Sequence, residues 1–391
     1  MVRVLFLTTR LPYPPHRGDQ VRSWNLLRHL APRHRLTVAT VTLGRPDAAH
    51  VERVRALGVD VVTIPLSRLG TPWALLRGGV GPVPFQVRVF DRKRARRRLD
   101  ALVGDGEFDL IHAQLARSGG LIPEGSRVVV DLIDALSVNM RRRAEHDRWP
   151  WSSLARSEAN RLDRYEPELL SRVAAGVVVA AAERDAIGDP DLRVIPNGLD
   201  TDRFPYSSGP RDGEEVVFAG SLGYFPNIDA AHRLATEIMP ALRLRIPGAS
   251  LHLVGANPSR RVRRLAAMPG VRLSADVDDI AVPVAGAGVA IVPLRTGSGL
   301  QNKVLEAMAV GTPVVTTPGV AAAVDAEPGI HLMTGSEPGQ LADAAARLLG
   351  DPKQAAEMAA AAHRFVEETF SWERSAADLD ALWREVVRRP D

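Results

Sequence analysis

Residues 295–316 read RTGSGLQNKVLEAMAVGTPVVT, and this stretch decides how the rest of the chain is read. A Gly-Ser-Gly turn (Gly297, Ser298, Gly299) leads into a short amphipathic helix carrying Lys303 and Glu306. Gly311 and Pro313 end that helix, and a Val-Val strand follows. A glycine turn that feeds a helix start presents unpaired backbone N–H groups and the positive end of the helix dipole, which suits a phosphate. Lys303 adds a compact positive charge. Glu306, about one helical turn further on, places a carboxylate where it accepts two sugar hydroxyls. A phosphate site beside a hydroxyl site describes a nucleoside diphosphate. The same residues also fit a capped core helix with a surface ion pair worth a few tenths of a kcal/mol, and the segment alone leaves both readings open.

Working outward, short Val/Ile/Leu-rich runs alternate with helical patterns. The first half predicts strands at Val2–Thr8, Leu36–Val41, Val59–Ile64, Leu110–His112, Val128–Leu132 and Val177–Ala180. The second half predicts them at Val216–Ala219, Leu251–Val254, Val271–Leu273, Val289–Val292, Pro313–Thr316 and His331–Met333. Helices are expected between them, among them Gln20–Leu30, Ser152–Ala174, Ile228–Leu244, Leu300–Val310 and Gly339–Leu349, with two more at the end, Pro352–Thr369 and Ser371–Arg389. Continuous apolar strands separated by helices predict an α/β fold with two doubly wound parallel sheets. The turn Pro196-Asn197-Gly198 and the aperiodic polar stretch Tyr206–Glu215 place a linker at 196–215, between domains 1–195 and 216–369. Residues 370–391 are expected to form a helix packing back on the first domain, and the ligand site is expected in a cleft at the carboxyl ends of the strands.

Composition narrows the function. The chain has 391 residues, 45% hydrophobic and 25% charged, enough for two ordinary domains of a globular protein. The absence of cysteine excludes disulfides, zinc-thiolate sites and a thiol nucleophile. The N-terminal apolar run is too short for a signal peptide. The longest apolar run, Val173–Ala182, is about half of what a bilayer span needs, so a cytoplasmic location is expected. Of 50 basic residues only Lys93, Lys303 and Lys353 are lysine, which singles out Lys303 as a point charge rather than a planar fork. Arg92, Lys93, Arg94, Arg96, Arg97 and Arg98 form one basic cluster and Arg141, Arg142 and Arg143 another, with Trp149 and Trp151 after it. These clusters suit either an anionic membrane surface, met peripherally on its inner face through Arg92–Arg98, or a solvated helix face. Nucleic acid is not expected as a partner, because aromatic residues are not interleaved with the basic ones. Nucleotide-cofactor glycine fingerprints, P-loops, zinc-protease and nucleophile-elbow motifs are all missing from the sequence.

Six segments resemble the retaining family-4 glycosyltransferases (glycosyl transferases group 1) of GT-B fold, with a pattern in the first helix region similar to sugar transferases of exopolysaccharide systems. VIPNGLDTDRF (Val194–Phe204) resembles the interdomain signature, and VVFAGSLGYFPNIDAA (Val216–Ala231) the opening of the donor domain. LHLVGANP (Leu251–Pro258) and SADVDD (Ser274–Asp279) resemble the frame of the nucleotide base, and GSGLQNKVLEAMAVGTPVVTT the phosphate- and ribose-binding block. LPYPPHRGDQVRSWNLLRHL (Leu11–Leu30) resembles the glycine loop and first helix of the acceptor domain.

The resemblance implies a GT-B fold of two Rossmann-like domains facing across a cleft. It also implies transfer of a sugar from a nucleoside-diphosphate sugar to a hydroxyl-bearing acceptor, with retention, no metal and no further cofactor. The acceptor class stays open among polysaccharides, lipid-linked glycans and small natural products. Glu306 would bind the ribose. The amides of Gly299, Leu300 and Gln301, in the turn with Gly297 and Ser298, would cradle the diphosphate, with Lys303 neutralising it. Gly220, Ser221 and Gly255 would line the donor site, Val277 would meet the base through its main chain, and Gly18 would admit the donor phosphate. Two departures bear on this. Ser298 stands where the family commonly has a glutamate that contacts the donor sugar, and Gly220–Asn227 lacks the basic pair that often points at the phosphates. Arg295, Arg17 and Arg22 are candidates to make up that charge. His112 and Asp134 follow strands and are candidates to orient the acceptor or donor, with a buried structural histidine and a helix cap as the other readings. A nucleotide-sugar 2-epimerase and a non-catalytic nucleotide-sugar-binding protein are the alternatives in function.

Overall fold

Thirteen strands form two all-parallel sheets in the computed structural model, which describes residues 1–67, 81–146, 149–209, 211–295 and 301–389. By contacts the chain divides into two units, Met1–Asn197 together with Ser375–Asp391, and Gly198–Arg374.

The sheet of the first unit contains β1 (Arg3–Thr8), β2 (Arg35–Leu43), β3 (Asp60–Leu66), β4 (Leu110–Gln114), β5 (Val128–Ile133), β6 (Ala175–Val178) and β7 (Arg193–Val194). Its order is β3-β2-β1-β4-β5-β6-β7. Every residue of β4 and β5 is buried, as a parallel strand covered by helices on both faces requires. The order reverses between β1 and β4, which pair in parallel from Val4 with Leu110 to Leu7 with Ala113. Loops leaving these two strands therefore diverge and open a crevice beyond their carboxyl ends.

The last residues of the chain complete this unit's core. The helix Trp372–Arg388 brings in Trp383, whose side chain is fully buried and whose indole N–H donates to His112 Nδ1 at 3.3 Å. Ser375 Oγ donates to the carbonyl of Pro196, and Arg127 Nη1 donates to that of Val387.

The second unit contains β8 (Asp212–Ala219), β9 (Ser250–Gly255), β10 (Val271–Ala275), β11 (Ala287–Val292), β12 (Val314–Thr316) and β13 (Met333–Thr334), in the order β10-β9-β8-β11-β12-β13. Here the reversal falls between β8 and β11. The core is assembled from all-buried β11 and from Leu234, Ile238 and Met239 on one covering helix and Val304, Leu305 and Met308 on another.

The sequence-predicted elements are recovered with short adjustments. The two-residue strand β7 is too brief for any periodicity to announce. The helix expected at 228–244 is in fact Phe225–Arg233, a π-type turn at Leu234–Ile238 and Met239–Arg243. Strand β8 begins at Asp212, inside the stretch read as linker, because its first three residues are polar and exposed. No described helix is long and apolar enough to cross a membrane.

Candidate functional site

The second unit builds its site where β8 and β11 diverge. Strand β8 ends at Ala219, and the chain turns at Gly220 with φ +149. The neighbouring strand β9 ends at Gly255 with φ +146. A Cβ on Gly255 would lie 1.7 Å from the carbonyl oxygen of Gly220. Both conformations belong to glycine, and the close crossing of the two chains leaves no room for a side chain. A Cβ on Gly220 would meet Asn227 Nδ2 at 3.1 Å and Lys303 Cε at 3.3 Å, so Lys303 and Asn227 flank the glycine turn.

Lys303 sits in the first turn of the helix Asn302–Ala309, whose start has no side-chain cap. Its Nζ donates to Oε1 of the buried Gln301 at 3.0 Å. Burial lowers its pKa to about 8, against the pull of Glu306, so a part-buried ammonium here gains from an incoming anion. Glu306 follows on the same face. Burial raises its pKa, opposed by Lys303 and by Arg203. Among the described residues its carboxylate accepts no hydrogen bond that a protein group supplies. A half-buried carboxylate left in that condition is unusual unless a ligand provides the donors.

Other groups complete the frame. Asn227, 5% exposed, donates from Nδ2 to the carbonyl of Ser221, while its Oδ1 is buried with no partner among the described residues. Asp276 N donates to the carbonyl of Gly255, and Asn257 N donates to Asp276 Oδ1. Val277 packs partly buried against the core beside them. Arg295 is exposed and reaches Glu237 Oε2 at 3.4 Å; Glu306, not Arg295, is the charge that bears on Lys303. Gly297, Ser298, Gly299 and Leu300 lie outside the described residues. The structure thus brings Gly220, Ser221, Gly255, Gln301, Lys303 and Glu306 to one end of one sheet. Asn227 and Arg203 belong with them and were not foreseen.

In the first unit, Gly18 opens the helix Gly18–Leu30 at the β1 side of the reversal. Its φ is not positive and a Cβ there would meet nothing within 4 Å, so no neighbour inside the unit demands a glycine. His112 is placed differently from a substrate-facing group. It is fully buried, its Nδ1 accepts from Trp383, and its proton therefore sits on Nε2, 3.8 Å from Asp131 Oδ2. Burial holds its pKa down at about 4. That is the structural histidine of the two readings. Arg22 is also fully buried. Its Nε donates to Asp131 Oδ2 at 2.6 Å and its Nη1 to Asn197 Oδ1 at 2.8 Å, so it is committed to the core rather than to a phosphate. Arg17 is exposed. Asp134 is part-buried just ahead of the helix Leu136–His146, whose first amides are taken by Glu183 (from Ala135) and Glu166 (from Leu136). No cluster of three metal-ligating side chains occurs among the described residues.

Residues 213–351 match the family model for glycosyl transferases group 1, the span that holds β8, β9 and Lys303. That span carries a glycosyl transferases group 1 domain, and the chain is a glycosyltransferase. Curated relatives agree. The enzyme is 28% identical over 389 residues to the MMP alpha-(1->4)-mannosyltransferase of Mycolicibacterium hassiacum, covering 92% of this chain and 88% of that protein. It is 30% identical over 211 residues to the GDP-mannose-dependent alpha-(1-6)-phosphatidylinositol monomannoside mannosyltransferase of Mycobacterium tuberculosis, covering 48% of this chain and 54% of that one. Among solved structures, Anabaena HepE in complex with UDP superposes with a TM-score of 0.65 at 16% identity, over 98% of this chain and 100% of that one. TarM superposes with a TM-score of 0.68 at 10% identity, over 100% and 99%. The glycosyltransferase therefore has the GT-B fold that its sequence resembled. Its relatives transfer sugars by name, which favours transfer over the epimerase and non-catalytic alternatives.

Proposed function

We propose that this glycosyltransferase moves a hexose from a nucleoside-diphosphate sugar to a hydroxyl acceptor, with retention and without a metal. The unit Gly198–Arg374 would hold the donor, and the unit of Met1–Asn197 with Ser375–Asp391 would hold the acceptor. The observation that carries the reading is the Glu306 carboxylate, part-buried, with no hydrogen bond from the described residues and next to a part-buried lysine at the strand-order reversal. Two vicinal ribose hydroxyls supply the donors it lacks. Lys303, the uncapped start of Asn302–Ala309 and the neutral amide of Asn227 face the diphosphate. Negative charge grows on that diphosphate as its bond to the sugar breaks, and a fixed ammonium beside it lowers the barrier without itself moving a proton. The acceptor hydroxyl arrives on the face the diphosphate leaves.

The names of the relatives and neighbours set the order of a donor panel: GDP-mannose first, UDP-glucose second. Incubating the full chain with these donors and following nucleotide release tests the proposal. Release that disappears in Glu306→Ala and Lys303→Ala is the expected result. Binding of either donor with no release under any acceptor condition would overturn catalysis, and an isomerised donor would point to the epimerase.

Peripheral attachment to an anionic membrane is part of the same proposal. Lys93, Arg94, Arg97 and Arg98 stand exposed on the helix Lys93–Asp105, each worth roughly 1 kcal/mol near an anionic surface. Co-sedimentation with phosphatidylglycerol vesicles that is lost as salt rises would support it; no association at low salt would remove it.

A further inference from the structure

Strand β11 carries the chain toward the block Gly297–Lys303, which the sequence assigns to the diphosphate, and three successive carbonyls at its exit are each held by a side chain. Thr316 Oγ1 donates to the carbonyl of Val292 at 2.7 Å, Arg233 Nη1 to that of Pro293 at 3.3 Å, and Thr317 Oγ1 to that of Leu294 at 2.9 Å. The pairing of β11 with β12 ends at Val292 and Thr316, so the carbonyls of Pro293 and Leu294 lie past the last rung of that ladder. Both residues are buried, and a buried carbonyl needs a donor. The donors come from three places: β12, the residue after it, and the helix Phe225–Arg233. Arg233 Nη2 also reaches the carbonyl of Ser336 at 2.7 Å, just beyond β13. One guanidinium therefore ties together the exits of two strands that flank β12.

Two features set Arg233 apart from an ordinary buried donor. It is 4% exposed, and its Nε has no hydrogen-bond partner among the described residues. Glu237 Oε2 lies 3.9 Å from it and is shared with Arg295, at 3.4 Å. Burial lowers the pKa of Arg233, and Arg295 adds to that. A neutral donor would satisfy one carbonyl with less desolvation, so what this position selects is a planar fork that holds two carbonyls at once. The helix also leaves regular geometry directly after it. Leu234–Ile238 is a π-type turn, a rare form that gathers at functional sites. Thr317 is diverted in a similar way. It precedes the helix Pro318–Ala323, where a threonine hydroxyl ordinarily caps the first amides, yet no side chain caps this helix and the hydroxyl goes to Leu294.

We propose that Arg233 is a positioning residue for sugar transfer, fixing with Thr316 and Thr317 the path by which the chain leaves β11 for the diphosphate block. This rests on the reading that Gly198–Arg374 binds the donor. Arg233 meets no reacting atom and acts through the backbone it holds. Amides stabilise a departing diphosphate only when they are already aimed at it, and a displacement of about 1 Å can cost about 10²-fold in rate.

Steady-state nucleotide release and GDP titration of the full chain test this on Arg233→Lys, Thr317→Val and Thr317→Ser. Lysine keeps the charge without the fork, and valine keeps the shape without the hydroxyl. In Arg233→Lys kcat should fall about 10- to 100-fold and in Thr317→Val about tenfold, while the Kd for GDP rises only about three- to fivefold. Thr317→Ser should recover the wild-type kcat. Groups that merely kept the fold would lower the melting temperature and leave kcat of the folded protein alone, and that result overturns the proposal. Unchanged kcat and GDP affinity in folded Arg233→Lys and Thr317→Val overturn it too. Should Arg233→Lys not fold, the two Thr317 variants decide. Failure of the transfer reading looks different: the wild type would bind GDP yet release nucleotide from no donor, and the clamp is then judged on the GDP affinity of the variants. A wild type that binds neither GDP nor UDP overturns both.

Discussion

At its strand-order reversal the unit Gly198–Arg374 leaves its key charges unanswered, whereas the other unit answers most of its own from within. Among the described residues Glu306 takes no hydrogen bond and Lys303 donates to a neutral amide. In the first unit Arg22 and Asp131 meet at 2.6 Å with no exposed surface, His112 is locked by Trp383, and Arg117 is braced by Thr9 and Asp19. Charges paired inside the protein make a frame, even though Arg22 Nη2 and His112 Nε2 stay buried without a hydrogen-bond partner among the described residues; a part-buried carboxylate short of donors is a place for a ligand.

That contrast is open to attack at several points. Trp383→Ala should cost about 3–5 kcal/mol, because a fully buried indole and its bond to His112 are removed together. Denaturant unfolding measures it, and a loss below about 1 kcal/mol would show that the frame is not one. Lys303→Ala should lower turnover about 10²–10³-fold with little change in stability, checked by steady-state nucleotide release. Glu306→Ala should raise the donor Kd roughly 10- to 100-fold, the loss of charge-assisted bonds of about 1.5–3 kcal/mol, checked by calorimetry. The same variant should leave the melting temperature unchanged or higher, since it removes a carboxylate that burial penalises.

Two pH effects are smaller and carry opposite signs. On the proposed reading donor binding needs Lys303 charged, so with a pKa of about 8 affinity is expected to fall as pH rises through 8, by up to tenfold per unit. It also needs Glu306 ionised, and because burial raises that pKa, affinity falls on the acid side sooner than an exposed glutamate would dictate. A bell-shaped profile of donor affinity, flattened on its basic limb in Lys303→Gln, is expected. His112 acts on stability instead. Folded it binds its proton only near pH 4, unfolded near 6.5, so the unfolded chain holds more protons in between. Stability contributed by neutral His112 is complete above pH 6.5 and is lost as pH falls toward 4. His112→Gln should flatten that slope in melting curves.

The alternation of apolar runs and helices was enough to read both sheets, because a strand covered on both faces has to be apolar throughout. The block Gln301–Glu306 was legible as a candidate for a similar reason: a lone lysine and a carboxylate at helical spacing lie within six consecutive residues. Other partnerships were not. His112 and Trp383 are 271 residues apart, and no local pattern announces that they touch. Arg22 reads as one more helix arginine until its Asp131 partner, 109 residues away, appears. Arg233 reaches Pro293 and Ser336 only through the order of the strands, and Asn227 gains meaning only because Gly220 turns against it. Composition also pointed at the basic run on Lys93–Asp105, while Arg233, at a sheet end, went unremarked.

The return of Ser375–Asp391 to the first unit has a consequence for biosynthesis. A ribosome releases every residue of Gly198–Arg374 before it releases Trp383. The second-made unit can therefore close its core while the first-made one still holds a gap where an indole belongs. Folding order in the cell should run against chain order, and the nascent first unit should be the stretch that chaperones guard.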